Sequence, residues 1–100
     1  MEERELTPED FTRSIRRSVR ERLMAGKVRD GDDVVALRSF VGLTQESFAV
    51  ALGISVHTLR NWEQGRRYPE GPALALLRIV ARHPRVLKEN LASVAPTGDG

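Results

Sequence analysis

Residues 43–65, LTQESFAVALGISVHTLRNWEQG, constrain this chain more than any other stretch. Thr44 is placed to cap a helix running to about Leu52, with Phe48, Ala49 and Leu52 turned inward. Gly53 falls where the chain must leave that helix, and glycine enters a left-handed conformation without steric cost. Ile54 can plug the turn. Ser55 then caps a second helix with Leu59 and Trp62 inside, and Gly65 stops it. Ala49 is small enough to let the two helices cross closely. The second helix presents Ser55, Val56, His57, Arg60, Asn61 and Gln64 outward. This is a helix-turn-helix, whose second helix is shaped to enter the major groove of DNA.

The N-terminus of such a helix enters the groove first, which sets Val56 and His57 nearest the base edges and Asn61 one turn later. Asn pairs with adenine through two hydrogen bonds, Arg suits guanine or a phosphate, and Val can pack on a thymine methyl. His57 donates or accepts according to its tautomer and implies no particular base. Arg66 and Arg67, just past the helix, are phosphate candidates, as is Ser47. Trp62 lies one turn after Leu59 on the buried stripe and belongs to the core. Tyr68 either packs beside the loop or touches DNA.

The rest of the chain reads as helices around this unit. Thr7-Pro-Glu-Asp marks a helix start, with a capping hydroxyl, a proline at the first helical position and acids in the first turn. That helix runs to about Met24 with a thin stripe of Phe11, Ile15, Val19 and Leu23, expected to be a partner-binding face, the alternative being that the arm folds back on its own domain or dimer mate. Gly26 to Asp32 reads as a linker. A helix from about Asp33 to Val41 turns Val34, Leu37 and Val41 inward. Pro72 opens a helix over 72–83 that is more apolar than one core-facing stripe requires, so part of it is expected to meet a second subunit. A last helix runs from Arg85 to about Ala92. The expected fold is all-α, about five helices with an N-terminal helical extension. The expected division is an arm and linker over 1–30, the DNA-binding domain over 31–94, and a disordered tail over 95–100.

Composition narrows the function class. One hundred residues make one small domain that dimerisation would help to stabilise. With no cysteine, disulfides and thiolate metal sites are excluded, which fits a reducing cytoplasm. No apolar run reaches the roughly 20 residues of a membrane span. The net charge is only +2, but residues 55–90 carry seven basic side chains against Glu63, Glu70 and Glu89. The positive surface therefore begins at the groove-entering helix. His57 and His83 have no carboxylate at metal-ligand spacing, and neither a nucleophile elbow nor a phosphate-cradling glycine loop occurs. No catalytic residue, metal or cofactor is expected.

Residues 32–80 resemble the Xre (lambda-repressor-like) family through the Thr-Gln opening, the Ala…Gly…Ser…Leu spacing and Trp-Glu-x-Gly at 62–65. The run NWEQGRRYPEGPALALLRIVARHPRVL, from Asn61 to Leu87, is similar more narrowly to HigA-type antitoxins. The first resemblance implies that Gln45 grips a phosphate and that Arg38 and Glu63 form a largely buried ion pair. The second implies a homodimeric repressor of its own operon, bound to an inverted-repeat operator in double-stranded DNA. It also implies a partner toxin that cleaves messenger RNA, of the HigB type with a RelE-like fold. The alternatives are an Xre regulator without a toxin and a protein–protein adaptor on the same fold.

Overall fold

The computed structural model describes residues 15–94, and among these every regular element is a helix. They are α1 (Arg17–Met24), α2 (Gly31–Val41), α3 (Gln45–Leu52), α4 (Val56–Glu63), α5 (Pro72–Arg82) and α6 (Pro84–Val94). The expected disordered tail and the start of the first helix, with Phe11, lie outside the described residues.

Local chemistry sets the boundaries of the central pair. Thr44 accepts a hydrogen bond from the Ser47 amide at 3.1 Å, and Ser55 accepts one from the Thr58 amide at 3.0 Å. Each satisfies an amide that a helix start leaves without a partner. Gly53 closes α3 at φ 77°, which leaves the tight turn between the two caps. Phe48, Leu59 and Trp62 face the core together with Val34 and Leu37 of α2 and Leu77 and Val80 of α5. The helices pack α3 on α6, α1 on α5, and both α2 and α3 on α4.

Two expectations about the N-terminal part are corrected. Residues 17–24 are not a free arm: Leu23 is 1% exposed within the core, and Ile15 and Val19 pack against it. The stripe is thin because it fills a gap between α2 and α5. Polar contacts hold it there. Arg22 donates to both carboxylate oxygens of Asp33 at 2.8 and 2.9 Å, Arg20 donates to the Ala81 carbonyl at 2.9 Å, and the Arg20 guanidinium stacks over Phe40. Ile15, Val19 and Leu23 therefore do not form an open partner-binding face.

The second correction concerns the linker. Its end is already helical, because Asp30 caps α2 by accepting from the Asp32 amide. Gly31 is buried against the last turn of α4, where a side chain would strike the Glu63 carbonyl and come within 2.8 Å of the Trp62 carbonyl oxygen. Glycine there permits a backbone approach that any larger residue would block.

Candidate nucleic-acid interface

The buried stripe of α4, Leu59 and Trp62, anchors the helix and leaves the opposite side to solvent. His57, Arg60 and Gln64 are exposed on that side, and Asn61 is half-buried. Asn61 Nδ2 lies 3.3 Å from His57 Nε2. This contact is a hydrogen bond when the His57 proton sits on Nδ1, and the Asn61 oxygen then stays free to accept from a base.

The loop after α4 is tied to the same helix. The amides of Arg66 and Arg67 both donate to the Asn61 carbonyl, at 2.9 and 3.3 Å, after Gly65 turns the chain at φ 77°. Pro69 is buried and pins the far end. Arg66 and Arg67 are thus held beside the exposed face of α4 with exposed side chains. Together with Tyr68, Arg67 walls a shallow polar concavity whose other side is His57, Thr58 and Asn61. From sequence alone Tyr68 stays open between packing and DNA contact, and Thr58 has no assigned role. The loop geometry sets Tyr68 across the concavity from His57, Thr58 and Asn61.

Behind the exposed face lies a chain of charges. Arg38 meets Glu63 at 2.7 Å, with the Glu63 side chain 6% exposed, and also donates to the Leu43 carbonyl at 3.2 Å. Gln45 Nε2 donates to Glu63 Oε1 at 2.8 Å. Arg60 Nε in turn donates to Gln45 Oε1 at 3.3 Å, and its Nη2 lies 3.6 Å from Glu46. The start of α3 is thereby laced to α4.

Three candidates sit differently from their expected roles. Gln45, expected to grip a phosphate, has its amide nitrogen turned inward to the Glu63 carboxylate. Val56 is half-buried and packs against the core, because the turn after Gly53 tips the first residue of α4 inward. It offers less surface to a thymine methyl than a fully outward residue would. The Ser55 hydroxyl is occupied: it accepts from the Thr58 amide and donates to Thr58 Oγ1 at 3.0 Å. Its position serves the helix start. Among the described residues no cluster of side chains suits a metal ion, and no helix is long and apolar enough to cross a membrane.

Comparisons with known proteins place this interface in a family. Antitoxin HigA-2 of Vibrio cholerae is 45% identical over 56 residues, which are 56% of this chain and 54% of that protein. The uncharacterized HTH-type transcriptional regulator YiaG of Escherichia coli is 33% identical over 57 residues, 57% of this chain and 59% of its own length. The chain therefore spans little more than half the length of these curated relatives. No solved structure matches. The model of the family described as the antitoxin component of bacterial toxin–antitoxin systems, MqsA, matches residues 3–90, which takes in α1 as well as the helix-turn-helix. The chain belongs to the MqsA antitoxin family.

Proposed function

We propose that this protein is a sequence-specific DNA-binding antitoxin that represses its own operon and neutralises a messenger-RNA-cleaving toxin of the HigB type. The observation that carries the DNA half is the exposed polar face of α4, with Asn61 Nδ2 3.3 Å from His57 Nε2 and Arg66 and Arg67 held alongside. Side chains that pair with base edges stand at the centre of this surface, and cations that pair with phosphates stand at its rim. Dimerisation would set two such faces about one DNA turn apart, roughly 34 Å, on an inverted repeat. Leu76, Ile79 and Val86, all exposed on α5 and α6, support a subunit contact there.

The toxin half rests on family membership and on the likeness to HigA-2. The YiaG likeness favours a second reading, a transcription regulator without a toxin. Co-expression with the neighbouring gene of the native operon separates the two. The antitoxin reading expects a small basic protein to co-purify and its toxicity to be suppressed. A neighbour that is harmless and does not bind supports the regulator instead.

A further inference from the structure

The five-residue chain from Arg38 to Glu46 assigns roles that the individual residues do not reveal. Glu63 is nearly buried and accepts from both Arg38 and Gln45. That commits the Gln45 amide nitrogen inward and turns its oxygen toward Arg60. An amide oxygen repels a phosphate, so of Gln45 and Arg60 the group available to a phosphate is the Arg60 guanidinium. Arg60 differs from Arg38 in what holds it. Arg38 is locked by the Glu63 carboxylate and the Leu43 carbonyl, whereas among the described residues Arg60 meets only Gln45 at 3.3 Å and the exposed Glu46 carboxylate at 3.6 Å. An exposed pair at that spacing is weak and exchanges readily.

We propose that Arg60 binds a DNA phosphate, that Gln45 positions it, and that Glu46 is the anion Arg60 gives up when DNA arrives. This inference rests on the reading of α4 as a DNA-binding helix. The carboxylate stands where the phosphate will stand, so it lowers affinity for every duplex alike. Sequence choice then depends on His57 and Asn61, whose contacts with bases are not masked in this way.

The test uses the full chain and a duplex it selects from a random library, with a scrambled duplex as control. Affinities for both are measured by fluorescence anisotropy over a range of salt. Arg60→Ala is expected to weaken both duplexes by the same factor, about eightfold per contact at 0.1 M salt, and to lower the salt slope by about one per subunit. Glu46→Gln is expected to strengthen both several-fold, and the gain should vanish when Arg60→Ala is added. A gain that survives in the double variant would overturn the exchange. A change of base preference at one position in Arg60→Ala would overturn the phosphate role. If the unaltered chain selects no sequence at all, the DNA-binding reading fails, and this inference fails with it.

Discussion

Arg38 and Glu63 meet at 2.7 Å across the gap between α2 and α4, and the same carboxylate accepts from Gln45 at 2.8 Å. One nearly buried anion thus ties three helices together behind the exposed face. Glu63→Ala strands the Arg38 charge and frees Gln45. We expect a loss of about 3 kcal/mol, the low end for breaking a buried pair, because a fifth of the Arg38 side chain still reaches solvent. Replacing both residues by apolar ones of similar size should cost much less. Urea unfolding of the three proteins measures the difference; a Glu63→Ala protein as stable as the parent would remove this account of the tie.

Gly31 supplies a second, independent prediction. Alanine normally stabilises a helix relative to glycine by about 1 kcal/mol. Here the added methyl would meet the Glu63 and Trp62 carbonyls, which are backbone and cannot swing aside. Gly31→Ala should therefore destabilise, by about 1–3 kcal/mol, and shift α4 relative to α2. Thermal unfolding checks the sign of the effect.

The Asp33 carboxyl makes acid sensitivity predictable. Burial alone would push it up, but hydrogen bonds from Arg22 and the Arg29 amide, with both arginine charges, outweigh burial and hold it below the usual carboxylate range. A carboxyl lowered on folding stabilises the protein above its unfolded value, near pH 4, and that contribution is lost as pH falls further through the folded value. Stability measured from pH 7 to pH 2 should fall less steeply below about pH 4 in Asp33→Asn than in the parent. Asp33→Asn should also be less stable at neutral pH, since the pair with Arg22 is gone.

Leu23 tests whether α1 belongs to the folded unit. At 1% exposure, Leu23→Ala should cost about 2–5 kcal/mol. Removing residues 1–30 should do at least as much harm, because Arg22 leaves with it and uncovers Asp33. A truncated protein that unfolds at the parent's denaturant midpoint would show that α1 contributes nothing to the domain.

The helix-turn-helix was legible because each of its signals is local. Thr44, Gly53 and Ser55 act on amides or dihedral angles within a few residues of themselves, and Leu59 and Trp62 repeat at helical spacing. The role of Gly31 was not legible, because the carbonyls that require glycine there lie more than 30 positions away. The stripe of α1 could be read but not its partner. Sequence alone gives Phe11, Ile15, Val19 and Leu23 an apolar face; only tertiary packing shows Leu23 turned into the chain's own core. The orientation of Gln45 was not legible for a related reason: an amide side chain has a donor end and an acceptor end, and its neighbours decide which end points outward.

The exposed face of α4 is proposed to read DNA through His57 and Asn61. Selection from a random duplex library tests it most directly, run in parallel on the parent, His57→Ala and Asn61→Ala. The parent is expected to select an inverted repeat. Each variant should lose discrimination at its own base pair in each half-site, by about 1–3 kcal/mol, while the rest of the motif persists. If both variants select the parent's motif unchanged, His57 and Asn61 do not read bases and the DNA-reading face lies elsewhere.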